Sequence, residues 1–291
     1  MKTPLLRLFL SLVTATACFA AAKSKVNYQD HIGIQMWSLR DTAKDDMPAA
    51  LDLVKNTYGL VEIETAGTGN LSFEQFKTEV EKRGLKPVGI HAGYEALAKE
   101  LDKQIATAKA LGATYIVCPW IPHDREKGFT EELAREVAAN FNKWGKIVSE
   151  AGLKLGWHPH GFEFVPLKSG NGETLFDFVA KETKPEYLVF EMDVFWVFHA
   201  GQDPVTLLKR YGDRWALMHV KDIRKGAVTG LTTGGAPPTD NVPVGTGQID
   251  WKSVLRTAQE VGTQHFFIED ETPAPLQCIP QSLEYLRALK L

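Results

Sequence analysis

Cysteine is scarce in this chain, and positive charge is not in excess. Three cysteines in 291 residues cannot build a disulfide framework. If Cys18 departs with a leader, Cys118 and Cys278 remain as one conceivable pair. Lys and Arg number 33 against 36 Asp and Glu, a formal charge of −3. A mildly acidic chain lacks the basic face that a phosphate backbone requires, which argues against nucleic acid as a partner. No Pro/Gly/Ser-rich linker or low-complexity stretch divides the sequence, so one domain is expected. Past the first residues, no apolar run is long enough to span a bilayer. A glycine-rich phosphate loop is missing too. The first strand candidate runs instead into Gln35-Met36-Trp37-Ser38-Leu39-Arg40. That omission disfavours a doubly wound nucleotide-binding sheet.

Residues 1–22 carry a recognisable address. Lys2 and Arg7 give a positive start, Leu5 to Val13 is apolar, and Ala20-Ala21-Ala22 offers small residues for cleavage. That pattern predicts a secretory signal peptide, hence a periplasmic or secreted protein. Membrane attachment would require lipidation of Cys18. Losing Lys2 and Arg7 with no acidic residue takes the formal charge from −3 to −5.

Residues 23–291 alternate short apolar runs with amphipathic stretches, about eight times over. Strands are expected at Ile32–Trp37, Leu60–Glu64, Pro87–His91, Thr114–Cys118, Leu153–His158, Leu188–Glu191, Ala216–Val220 and Phe266–Glu269. Helical patterns follow each of them. Gly84, Gly112, Gly152 and Gly262 stand where left-handed helix ends are needed. Ser72 with Gln75 resembles a capping box. The length and alternation predict a single (β/α)8 barrel, whose functional site lies at the C-terminal ends of its strands.

Four of the apolar runs stop at a metal-type ligand: His158, Asp193, His219 and Glu269. Side by side, they would bring two imidazoles and two carboxylates to one point, a donor set for a divalent Mn, Zn, Fe or Co ion. Buried unpaired charges are costly, and a cation compensates them. Other polar residues crowd the same ends: Gln35, Glu62, Glu64, His91, His160 and Lys221. The strand starts look bland. His160 shares the parity of His158 and is a candidate proton carrier. Glu163 is a second ligand, a general base or a solvated loop carboxylate. Lys221 could support an enolate oxygen or pair with Asp222 or another acid. His91 could contact substrate or make a structural hydrogen bond. Trp37, Trp120 and Trp196 lie at or beside strand ends and offer aromatic faces to a sugar ring. Trp157 has the opposite parity to His158 and is expected to pack outward. The Gly-, Pro- and Thr-rich stretch 224–248 is expected to be functional, as a lid over the site or a substrate-binding segment.

Ile34-Gln35-Met36-Trp37-Ser38-Leu39-Arg40, His158-Pro159-His160-Gly161-Phe162-Glu163-Phe164, His219-Val220-Lys221-Asp222 and Gly245-Thr246-Gly247-Gln248-Ile249-Asp250-Trp251 resemble the sugar phosphate isomerase/epimerase superfamily. These are the xylose-isomerase-like barrels. The resemblance implies a divalent metal, most often Mn, with Zn, Co, Fe or Mg as alternatives. It is held by a Glu, Asp, His, Glu set at the ends of strands five to eight. Asp193, His219 and Glu269 match the last three positions, while His158 stands where many members have Glu. The His-x-His-x-Phe-Glu form is closest to the inosose dehydratase and 3-keto-glycoside eliminase/hydratase branches. The resemblance also implies an enzyme acting on a keto sugar or keto-glycoside through an enediolate, by isomerisation, epimerisation, β-elimination or hydration. His160, Glu163, Lys221 and Glu269 would be its catalytic groups. Trp37, His91, Trp120 and Trp196 would bind substrate. The partner is a small sugar or glycoside, and a homodimer is compatible. The rival reading is a sugar-binding barrel without catalysis.

Overall fold

The computed structural model describes residues 26–168 and 170–291. The expected signal peptide, Cys18 included, lies outside the described residues. Eight strands form the barrel: β1 Ile32–Gln35, β2 Glu62–Thr65, β3 Lys86–His91, β4 Tyr115–Cys118, β5 Lys154–Trp157, β6 Leu188–Asp193, β7 Trp215–Val220 and β8 His265–Ile268. Each is parallel to its neighbours, and β1 pairs with both β2 and β8 to close the ring. Strands buried on both faces read as near-continuous apolar runs, as these do. Gly33 on β1 has a steric cause. An added Cβ would lie 2.6 Å from the Glu62 carbonyl oxygen and 2.8 Å from the Phe267 ring.

Helices return the chain outside the barrel. Ser72 and Gln75 do form a reciprocal cap on the helix Phe73–Lys82. Gly112 and Gly262 end helices in the left-handed conformation, at φ 69° and 96°. Trp157 packs outward, with ring centroids 5.1 Å from Phe176, which in turn stacks on Trp215 at 5.5 Å. This aromatic stack between strands and helices anchors β5 to β7, which carry most of the site.

Three expectations need correction. β2 begins at Glu62, not Leu60, so Glu62 opens the strand and Glu64 lies one side-chain repeat further along. Glu62 therefore faces the N-terminal mouth of the barrel. That mouth is not bland, because His31 and His265 meet Glu62 there. Second, β6 runs on to Asp193, which also caps an unexpected helix, Val194–His199, by accepting from Trp196 N at 3.1 Å. A run of aromatic and β-branched residues hid this short helix from a propensity reading. Third, Cys118 and Cys278 are both free thiols.

Candidate metal centre

The C-terminal ends of the strands converge on a buried polar cluster. Gln35, Glu64, His158, Glu191, Asp193, His219, Lys221 and Glu269 are all buried. The expected quartet meets there in a chain of contacts. His158 Nε2 lies 3.8 Å from Asp193 Oδ2, and His219 Nδ1 lies 3.9 Å from the same oxygen. His219 Nδ1 is 3.1 Å from Glu269 Oε2. One donor atom from each of Asp193, His219 and Glu269 falls within 4.8 Å of the others. A second such set, sharing His219, comprises His91, His158, Glu191 and His219.

The other nitrogen of each imidazole decides how the cluster is read. His158 Nδ1 lies 3.0 Å from Glu191 Oε2. His219 Nε2 lies 2.7 Å from Glu64 Oε2 and 3.1 Å from Glu191 Oε2. Imidazoles that bind metal commonly give their far N–H to a carboxylate in this way, which fixes tautomer and ring orientation. His158 Nε2 and Asp193 Oδ2 are then left facing one another with no hydrogen-bond partner. Two lone-pair atoms in that arrangement call for a cation. Four buried carboxylates, Glu64, Glu191, Asp193 and Glu269, share the site with Lys221 and with His91 and His219, both of which these acids raise well above the usual imidazole range against their desolvation. A divalent ion would offset the negative charge that remains. The donor set therefore fits a metal of the Mn, Fe, Co or Zn type.

The electrostatics follow from burial and neighbours. Burial pushes the Asp193 carboxyl up to about 7, against the pull of Lys221. His91 is partly buried and desolvated, but Glu64 and Glu191 outweigh that and raise it to about 9. Its Nε2 lies 3.0 Å from Glu64 and 3.3 Å from Glu191. Burial lowers His158 well below its usual range and brings His160 down to about 3, so both rings are neutral at pH 7. Lys221 stays an ammonium, because Glu269, Asp193 and Glu271 more than repay its desolvation. Its Nζ is 3.3 Å from Glu269 Oε2 and closer still to Glu271, and it lies over the faces of Phe195 and Trp196.

A cavity of about 470 Å³ opens above the cluster. Trp37, His91, Trp120, His158, His160, Trp196 and Glu269 line it. Trp37 and Trp120 keep 45% and 40% of their surface exposed, so their rings form its rim rather than its core. Trp37 Nε1 donates to Glu271 Oε1 at 3.0 Å, which ties the rim to the Lys221 pair. Gly234 closes one side against Trp120 and Phe162. The end of the 224–248 stretch is pinned by Asp222, whose carboxylate accepts from Gly245 N, Gly247 N and Trp251 Nε1 at 2.9, 3.1 and 2.9 Å. Asp222 is thus occupied with the loop, and Lys221 pairs with other acids.

Glu163 is not brought to the cavity. It is buried, and its carboxylate turns to the backbone amides of His160, Gly161 and Glu163 itself, with His160 N at 3.0 Å. Burial raises its carboxyl to about 8. His160 does line the cavity, and its Nδ1 is buried without a partner. Sequence reasoning gave no site role to Glu64, Glu191, Gln35 or Glu271. Glu191 and Glu64 share strand and parity with Asp193 and the strand-end row, which is the signal that could have found them. Glu271 sits on an irregular segment after β8 and left none.

A family model for the xylose isomerase-like TIM barrel matches residues 58–289. The chain belongs to the xylose isomerase-like TIM barrel family. Among curated relatives, an inosose dehydratase of Clostridium tetani is 27% identical over 164 residues, 54% of this chain and 52% of that protein. An inosose dehydratase of Mesomycoplasma hyopneumoniae is 30% identical over 155 residues, 50% of each. The chain spans about half the length of the curated relatives it matches. A sugar phosphate isomerase/epimerase from Parabacteroides distasonis superposes with a TM-score of 0.69 at 23% identity, covering 95% of this chain and 98% of that one. A 3-keto-D-glucoside 4-epimerase from E. coli gives 0.62 at 15%, covering 89% and 99%. At these identities the structural likeness speaks to the fold.

Proposed function

We propose that this barrel is an exported, divalent-metal-dependent enzyme that removes the proton beside the carbonyl of a keto sugar or keto-glycoside. The observation that carries it is the pair of imidazoles with their far nitrogens on Glu191 and Glu64, the near one of His158 facing Asp193 and the near one of His219 on Glu269 with Asp193 beside it. His158, Asp193, His219 and Glu269 would hold the ion, Mn in the first instance. When bound, a divalent cation supplies Lewis-acid polarisation of the substrate's carbonyl and neighbouring hydroxyl oxygens.

The chain's own residues do the rest. His160 lines the cavity and has an unpartnered nitrogen, so it is the base that takes the α-proton. Glu163 holds the His160 backbone in place and is a positioning residue. Lys221 keeps Glu269 ionised and oriented. Trp37, Trp120 and Trp196 receive the apolar faces of the sugar, with His91 beneath them. Loss of the proton gives an enediolate. Return of the proton to the other face or the adjacent carbon completes epimerisation or isomerisation. In elimination, the same electron pair expels a β-oxygen substituent, which leaves with the proton that His160 took from the α-carbon. The inosose dehydratase relatives support the elimination branch.

NMR of 3-keto-glycosides, free ketoses and inososes with Mn-loaded protein in deuterated water tests the reading. Deuterium exchange beside the ketone is the expected result, and loss of the β-substituent identifies the elimination branch. No exchange with any of them would leave a sugar-binding barrel.

A further inference from the structure

A second cluster of ligand-type side chains lies at the opposite mouth of the barrel. Glu62 opens β2, His265 opens β8, and His31 immediately precedes β1, which runs between those two strands. Glu62 Oε1 lies 3.1 Å from His31 Nδ1, and Glu62 Oε2 lies 2.7 Å from His265 Nδ1. The two rings meet edge to face at 5.5 Å. One donor atom from each residue falls within 4.8 Å of the others.

The three donor atoms are close enough to converge on one ion. Zn–N and Zn–O bonds of about 2.0–2.2 Å at a tetrahedral angle put neighbouring ligand atoms roughly 3.3–3.5 Å apart. The observed spacings, one to each oxygen of the Glu62 carboxylate, are hydrogen-bond lengths that would have to open by roughly 0.2–0.8 Å. The set is also electrically modest, with two imidazoles and one carboxylate, a donor combination that suits zinc. His31 leaves 38% of its side chain in solvent, so a water can complete the shell. Glu62 is held below the usual carboxylate range, because the two imidazoles outweigh its burial.

We propose that His31, Glu62 and His265 form a structural zinc-type site that clasps the seam where the first and last strands close the barrel. The ion takes the place of the protons that bridge Glu62 to the two imidazoles, whose remaining protons then sit on Nε2. The site lies at the opposite end of the barrel from the cavity, and it links β1, β2 and β8.

The test is Zn²⁺ content after equilibrium dialysis of the chelator-stripped full chain, compared with His31→Gln. His31 is the most exposed of the three, and equal melting temperatures in chelator show that the variant folds. The expected result is one Zn²⁺ per chain fewer in His31→Gln, together with loss of the Zn²⁺-dependent rise in melting temperature. His265→Gln should give the same deficit. Equal Zn²⁺ content in wild type and His31→Gln overturns the proposal. The difference of one ion is read whether or not the rim site binds metal, so failure here and failure at the rim are distinguishable.

Discussion

Glu191→Gln should weaken metal binding without touching a proposed ligand. Three imidazoles lean on this one carboxylate: His158 at 3.0 Å, His219 at 3.1 Å and His91 at 3.3 Å. Gln keeps the shape and one acceptor oxygen but presents an amide N–H₂ in place of the second. It also removes the charge that strengthens these hydrogen bonds. His219 retains Glu64 at 2.7 Å, so its orientation survives in part. His158 has only Glu191 to fix its tautomer, and it loses the most. Removing such a supporting carboxylate typically costs 10–100-fold in metal affinity, about 1.4–2.7 kcal/mol. Competition with a fluorescent chelator gives the Kd for Mn²⁺ and Zn²⁺, and circular dichroism melts in excess chelator check the fold. A Kd within about twofold of wild type would refute the claim that Glu191 orients His158 for a metal.

Two other outcomes concern neighbouring residues. His160→Ala should retain full metal occupancy and lose deuterium exchange at the substrate carbon by roughly 10²-fold or more; unchanged exchange removes His160 as the base. Glu163→Gln should affect stability in a pH-dependent way. Its carboxyl stands at about 8 in the fold against 4.5 as the ordinary value. Below 4.5 both states hold the proton and the group is neutral in the balance. Between 4.5 and 8 the unfolded chain ionises first, so wild-type stability falls as pH rises, and the cost persists above 8. Gln removes that cost, so the variant should gain on wild type from pH 5 to 8, by on the order of a few kcal/mol at most. Urea melts across that range measure it, and a difference that does not change with pH contradicts the assignment.

The barrel was legible because its signals are local and repeated. Apolar runs ended by polar residues, and glycines such as Gly112 and Gly262 at helix ends, mark each βα unit. The strand-end residues His158, Asp193, His219 and Glu269 could be named because each closes an apolar run. The supporting roles of the carboxylates were not legible: Glu191 sits inside a run, and Glu64, though placed at a strand end, gains its role from Gln35, His91 and His219, the last 155 positions away. Glu163 shows the converse. Its neighbourhood in the sequence suggested chemistry, but the turn at Gly161 aims its carboxylate at backbone amides. The lower His31–Glu62–His265 cluster depends on the register of β1, β2 and β8 at the closing seam, which periodicity alone does not specify.

The central claim is a metal held by four strand-end residues at the C-terminal rim. An anomalous difference map from Mn²⁺-soaked crystals tests it directly. The account predicts a peak about 2.0–2.3 Å from His158 Nε2, Asp193 Oδ2, His219 Nδ1 and a Glu269 oxygen. No peak among these atoms at full soaking, or a peak ligated by other residues, would contradict it.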